Sequence, residues 1–340
     1  MKIRILFLIV SLFGTTVLFA QKNDGIRFIE NAREDKESFE NIHYQENDKM
    51  PFRKILVLDK RFDSSKAGYT IDLISNKHSR ILLQDSWSSI LNNYFKKNLD
   101  ENADQTLVIV LKSFWIQSGM FDKIQQINGV RKVERPAKEK GGSCSVEIDT
   151  YLQSNSDLRA LFKIDTFFLS LVSLNYRSNI AEYLFMPFDS LAKKIKTTNI
   201  PELLLKRKKL SWNEVISYYD QRFNQPVLME TSLKKGLYQN FEDFRLNNPL
   251  VTEYKFIEGK LTDELYIITE SGEELLENYW GFFDGQDIYI KFGWNVFKAI
   301  RRQNTFELFG SPYADINKSN PLKSLLKKIF QVNMDTGKIY

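Results

Sequence analysis

The sequence predicts an α+β protein: an N-terminal sheet with helices packed on one face, a helical connector and a C-terminal antiparallel β-meander. Three observations lead to this prediction. Between residues 53 and 171, apolar positions alternate or run continuously in segments of strand length, with helix-spaced apolar positions between and after them. After residue 228, short apolar stretches are separated by regular turn signals. A chain of 340 residues exceeds the usual size of one core, so we expect domains at 51–198 and 228–340, joined by a connector at 199–227.

The N-terminus has the three parts of a secretory signal peptide. Lys2 and Arg4 give it a positive start, an apolar stretch follows, and Ala20 precedes the polar residue Gln21. We predict a signal peptide over 1–20, because the apolar stretch is shorter than the roughly 20 residues that a membrane-spanning helix needs. The alternative is an uncleaved membrane anchor.

Export would place the mature protein in the periplasm or outside the cell, soluble and without a transmembrane segment. Loss of residues 1–20 removes Lys2 and Arg4 and no acidic residue, which lowers the net charge from +5 to +3. A charge this small does not indicate a nucleic-acid partner. The next segment, 21–50, is polar and mixed in charge, and we expect it to be a poorly ordered lead-in.

The N-terminal domain is expected to begin with a strand at Arg53–Asp59 and a helix capped by Asp85 or Ser86. The segment Thr106–Ile116 is apolar on both faces in its first half, which favours a central strand. Residues 119–142 are rich in charge and are predicted to form a long hairpin loop.

The next strand begins near the single cysteine. Cys144, Val146 and Ile148 alternate with polar residues, so one face of this strand should be buried, with Cys144 as an inert thiol. Leu158–Leu171 should be its antiparallel neighbour. Apolar positions at helical spacing then predict a second helix that is kinked at Pro187 or begins there.

The connector contains Ser211 and Glu214, which have the spacing of a capping box. Upstream of it lies a basic run, Lys206–Lys209, which we expect to be solvated. In the last third of the chain the predicted turns are Ser271-Gly272, Asp284-Gly285, Gly293, Gln303-Asn304 and the final Asp335-Thr336-Gly337.

Three segments of this last third resemble uncharacterised exported proteins of Bacteroidota. They are GLYQNFEDFRLNNP (Gly236–Pro249), YWGFFDGQDIYI (Tyr279–Ile290) and MDTGKI (Met334–Ile339). The resemblance implies an envelope or secreted setting and a recurring β-rich module. It implies no catalytic residues.

Several enzyme classes lack their motifs here. The sequence has no nucleophile elbow, HExxH, Walker loop or GxGxxG. His43 and His78 are far apart in sequence and lie among polar residues, which argues against a histidine zinc site. We therefore expect no catalytic, cofactor-binding or metal-binding residues. Asp284 and Asp287 leave open a carboxylate-dependent hydrolase, although Asp-Gly is also a common hairpin turn.

The residues from Tyr279 to Tyr313 are dense in aromatic side chains. Trp280, Tyr289 and Trp294 are the candidate ligand-binding residues, and the alternative is that they fill the core of a small β-domain. We expect Trp280, beside Gly281, to be structural and Trp294 to be exposed. The preferred hypothesis is a non-catalytic envelope protein that binds a partner protein or polymer through its β-rich domain. The alternatives are a hydrolase acting on envelope glycans and a structural assembly accessory.

Overall fold

The computed structural model describes residues 29–30, 32–46, 49–72, 77–127, 130–171, 180–259, 263–293, 295–310 and 327–340, with the side chains of 72, 120–140 and 171 excepted. The predicted signal peptide and Trp294 lie outside the described residues. The chain divides into two compact units: an N-terminal unit, Arg33–Asn224, and a C-terminal unit, which comprises Gln225–Tyr340 and the described residues before Arg33. The α+β class predicted from the sequence is confirmed.

The N-terminal unit is built on a mixed sheet. Its strands are β1 (Arg33–Glu37), β2 (Lys54–Asp59), β3 (Gly68–Asp72), β4 (Lys77–Leu83), β5 (Thr106–Ile127), β6 (Val130–Ser154), β7 (Asp157–Leu171) and β8 (Lys209–Leu210). They are ordered β1-β4-β3-β5-β6-β7-β8, and β2 pairs with the first part of β5. The predicted central position of β5 is confirmed.

Four helices of the described residues belong to this unit: α1 (Trp87–Tyr94), α2 (Ile180–Thr197), α3 (Ile200–Leu205) and α4 (Trp212–Asp220), which continues into a 3-10 turn at Gln221–Phe223. Ser86 caps α1 by accepting a hydrogen bond from the Ser89 amide, as predicted. Helix α2 starts at Ile180, so it does not begin at Pro187, which lies inside it. The predicted capping box of Ser211 and Glu214 begins α4.

The main core lies between one face of the sheet and helices α1 and α2. Cys144, Val146 and Ile148 contribute to it from β6, as their alternation predicts. Helix α4 covers part of the opposite face, where Val215 and Tyr219 pack on β5, β6 and β7. The expected connector is therefore part of the N-terminal unit up to Asn224.

Two segments differ from the sequence prediction. The expected lead-in contains β1, which pairs in parallel with β4, and its Phe39, Tyr44 and Met50 are buried in the main core. Its few apolar side chains are enough to order it because the sheet and helices cover them. The loop predicted over 119–142 is wrong, since β5 and β6 stay paired as an antiparallel ribbon out to Ile127 and Val130. Ladder hydrogen bonds join backbone groups, so a charged sequence does not prevent them.

The C-terminal unit is an antiparallel meander with a second small sheet. Its strands are β9 (Gly236–Tyr238), β10 (Tyr254–Ile257), β11 (Glu264–Thr269), β12 (Gly272–Leu275), β13 (Gly281–Phe283), β14 (Ile288–Phe292), β15 (Asn295–Arg302), β16 (Thr305–Gly310) and β17 (Lys328–Gln331). The sheets are ordered β17-β16-β15-β14-β13-β9 and β10-β11-β12. Two short helices precede and follow β9, namely α5 (Pro226–Met229) and α6 (Phe241–Arg245).

The predicted turns of this unit are confirmed. Gly272, Gly285 and Gly293 connect consecutive strands with φ values of 128°, 103° and 65°, and Gln303 does so at 49°. The last turn brings Ile339 back to pair with Val332. In the described part of the chain, no helix has the length and apolar character to cross a membrane.

Candidate functional site

An open cleft of about 410 Å³ lies in the C-terminal unit. This volume falls within the range of about 300–1,000 Å³ that is common for small-molecule sites. The residues that line it come from the segment after β9, the segment before β13 and the end of β14: Gln239, Asn240, Phe241, Glu277, Asn278, Tyr279, Trp280, Lys291 and Gly293.

One wall of the cleft is fixed by the start of helix α6. Asn240 Oδ1 accepts a hydrogen bond from the Asp243 amide at 3.0 Å, and Asp243 Oδ2 accepts one from the Asn240 amide at 3.1 Å. This reciprocal cap satisfies two amide groups and sets the angle at which β9 enters the helix. It therefore holds Gln239, Asn240 and Phe241 together along the wall.

Trp280 is held from both sides by the sheet. Its amide donates to the Tyr238 carbonyl at 3.0 Å, and its carbonyl accepts from the Lys291 amide at 2.9 Å. Its half-buried ring lies 4.3 Å from the Phe244 ring at an angle of 30°, and 5.4 Å from the Phe241 ring. The indole is thus supported by two phenylalanine rings and still lines the cleft.

The rings beneath Trp280 are themselves closely packed. Phe244 is fully buried and makes edge contacts with Tyr238 at 5.3 Å and Phe306 at 5.1 Å. Gly337, at φ 73°, lies so close to Phe241 that an added Cβ would be 2.4 Å from its Cγ. The three segments named for their resemblance to exported proteins therefore meet here, through Phe241, Trp280 and Gly337.

Two charged residues, Glu277 and Lys291, line the cleft. Lys291 Nζ donates to the backbone carbonyl of Glu277 and lies 4.7 Å from the centre of the Tyr279 ring. Tyr279 is 8% exposed, and burial, with Asp263 adding to it, raises the pKa of its hydroxyl well above the usual value. Glu277 and Asn278 are exposed at the rim. The cleft thus combines an aromatic floor, amide side chains and one charged group of each sign.

Of the three aromatic residues singled out from the sequence, the structure describes Trp280 and Tyr289, and it places them in different surroundings. Trp280, expected to be structural, is packed on one side and lines the cleft. Tyr289 belongs to the packing between the two sheets, where its ring stacks on Phe282 at 4.8 Å and lies 6.2 Å from Phe256. Burial, with the charges of nearby carboxylates, raises the pKa of Tyr289 to about 12. Trp294 lies outside the described residues.

Sequence analysis missed most of the other lining residues. Gln239, Asn278 and Lys291 have no apolar pattern that would identify them. Asn240 could have been identified from the sequence. Asn240 and Asp243 have the spacing of a helix N-cap, and Phe241 and Phe244 have helical spacing.

The carboxylates considered for a hydrolase have structural partners. Asp284 Oδ1 accepts hydrogen bonds from the amides of Gln286 and Asp287, both at 2.7 Å, which closes the hairpin turn. Asp287 pairs with Lys298 at 2.5 Å. The Asp335-Thr336-Gly337 triplet forms the final turn, where Asn333 Oδ1 accepts from the Asp335 amide at 2.9 Å. Among the described residues, no three or more His, Cys, Asp or Glu side chains lie together in a group that could hold a metal ion.

Comparison with known proteins adds little. No family model and no curated protein matches the chain. A crystal structure of a protein from Xanthomonas campestris, described as DUF330, is 11% identical and has a TM-score of 0.26, and the match covers 56% of this chain and 99% of that one.

Proposed function

We propose that the protein is an exported, non-catalytic binding protein, which holds an envelope partner protein or polymer in the cleft of its C-terminal unit. The observation that carries this proposal is the position of Trp280. Its ring is supported by two phenylalanines and still lines an open cleft. A side chain that only filled the core would be covered on both sides, as Phe244 is.

The geometry favours a preformed site. The backbone of Trp280 is bonded to Tyr238 on one side and to Lys291 on the other, and the Asn240 cap fixes the neighbouring wall. A rigid aromatic surface loses little conformational entropy when a ligand covers it, so more of the contact energy remains for affinity. Tryptophan is also over-represented among the residues that dominate binding energy.

The binding proposal is tested with Trp280→Ala and Trp280→Phe in the full mature chain. We expect Trp280→Ala to reduce retention of the protein on envelope fractions of the native host at least tenfold, equivalent to about 1.4 kcal/mol. Trp280→Phe should recover part of it. The matched control is Tyr218→Ala, which removes an exposed aromatic ring from the N-terminal unit. Equal retention of the wild type and Trp280→Ala would favour the structural-accessory alternative.

Export is supported by the arrangement of Lys2, Arg4, the apolar stretch and Ala20. N-terminal sequencing of the protein from its native host should begin at or near Gln21. Recovery of intact Met1 in the membrane fraction would contradict the proposal and support an uncleaved anchor.

A further inference from the structure

We infer that the cleft binds an uncharged carbohydrate, a pyranose-containing segment of a glycan. This inference rests on the proposed function and names the ligand class of the same site. Three features of the cleft support this inference: the packing of its aromatic floor, the amide side chains at its edge and the positions of its two charged residues.

The floor suits a flat ligand with an apolar face. The rings of Phe244 and Trp280 are inclined by only 30° at 4.3 Å, so Phe244 covers one face of the indole, and the half-buried ring still lines the cleft. A pyranose ring presents C–H groups on one face, and these pack against the negative face of an indole. Its hydroxyl groups point outward around the ring, toward the position of the cleft walls.

The walls supply planar amides. Gln239 and Asn278 are exposed at the cleft, and each amide carries a donor and an acceptor side by side. Neighbouring sugar hydroxyls have the same pairing of donor and acceptor. Asn240, which also lines the cleft, commits its Oδ1 to the helix cap and retains two N–H donors on Nδ2.

The charges argue against an anionic polymer. Recognition of phosphate or carboxylate relies on arginine or lysine groups directed at the ligand. Lys291, the lysine that lines this cleft, donates to the Glu277 carbonyl and lies over the Tyr279 ring. The exposed Glu277 carboxylate would also repel an anion. An uncharged glycan avoids both problems.

The test uses the full mature protein, immobilised, and an envelope fraction of the native host divided into three portions. One is untreated, one is digested with proteinase K, and one is treated with periodate, which cleaves the bond between carbons that carry neighbouring hydroxyls. We expect retention to survive proteinase K and to fall at least tenfold after periodate. Retention should be equal at about 50 mM and 500 mM NaCl, because a neutral ligand has no charge to screen.

Two sets of variants tie the result to the cleft. Trp280→Ala should abolish retention of the proteinase-treated fraction, and Gln239→Ala and Asn278→Ala should each weaken it about threefold. The two amide side chains are exposed, so their variants keep the wild-type melting temperature and remain informative if Trp280→Ala folds poorly. Tyr218→Ala is the control and should bind as the wild type does.

The outcomes separate this inference from the function on which it rests. If retention depends on Trp280 but is lost after proteinase K and unaffected by periodate, the ligand is a protein and the glycan inference is wrong. Retention that falls steeply with salt would overturn the uncharged ligand. Retention that none of the cleft variants changes would overturn the proposed function as well.

Discussion

One tryptophan in each unit has a ring supported by phenylalanines, but the two rings are covered to different degrees. In the N-terminal unit, Trp87 lies 4.7 Å from Phe114 and 5.8 Å from Phe188, and all three are buried between the sheet and its helices. In the C-terminal unit, Trp280 has a comparable contact with Phe244, but its ring is only half-buried and lines an open cleft. A supported ring becomes a core residue or a binding surface according to whether a second layer covers it.

The largest expected effect separates these two tryptophans by stability. Trp87→Ala should lower the free energy of unfolding of the N-terminal unit by ~3–5 kcal/mol, because it leaves a cavity in a closed core. Trp280→Ala should cost the C-terminal unit only about 1–2 kcal/mol, since its ring is half-buried and water can fill the space. Chemical denaturation followed by near-UV circular dichroism would measure both values. Equal losses would mean that Trp280 is a core residue.

A smaller effect is expected from the support beneath the cleft. Gly337→Ala places a methyl group against Phe241, and the alanine must keep the positive φ of Gly337. It should lower the free energy of unfolding by ~2–3 kcal/mol. Gly272→Ala is the matched control, since its φ is 128° and its added Cβ would meet no atom within 4 Å. The difference between the two variants in thermal unfolding isolates the contact with Phe241. If the two variants lower the free energy of unfolding equally, backbone strain alone explains both losses, and the terminal turn does not support the site.

The smallest expected effect is a difference in acid sensitivity between the units. Burial opposes ionisation of Asp63 and Glu147 in the N-terminal unit, but Lys66 and Lys112 respectively outweigh it and hold the pKa of each carboxyl below its usual value. A lowered pKa gives stability that is complete above the unfolded pKa of about 4 and is lost as pH falls through the folded pKa. In the C-terminal unit, the pKa of Glu242 is also lowered, but water screens this exposed group.

The N-terminal unit should therefore unfold first as pH falls from about 5 toward 2. Urea titrations followed with a probe in each unit would record the order of unfolding. The Glu147→Gln variant is the control, because it removes one of the titrating groups and should flatten the pH dependence of the N-terminal unit. Loss of stability at the same pH in both units would contradict this assignment.

Much of the fold was predictable because it depends on local patterns. The alternation around Cys144, the cap at Ser86 and the turns at Gly285 and Gly293 each need only neighbouring residues. Strand β1 was missed because the strand that orders it, β4, is distant in sequence. The antiparallel β3–β4 pair was missed as well. The β5–β6 ribbon was missed because its stability comes from backbone pairing, which leaves no apolar signature.

The candidate site shows a sharper limit of sequence analysis. Aromatic density pointed to both Trp280 and Tyr289, and nothing local distinguishes them. Both side chains are half-buried, but Tyr289 lies 6.2 Å from Phe256, on a strand of the second sheet, whereas Trp280 lines the cleft. Which side of a strand a residue occupies follows from alternation, but whether another layer covers that side follows from tertiary structure.

The hydrogen bonds on either side of Trp280 join the site to the edge of the meander. Strand β9 is the last strand in the six-stranded order, and its Tyr238 carbonyl accepts the Trp280 amide. When this edge strand separates from the sheet, the floor of the cleft loses one of its two attachments. A ligand that binds only the intact cleft therefore makes separation of β9 from the sheet less frequent. The backbone amides of β9 should then exchange hydrogen more slowly as more of the protein has ligand bound.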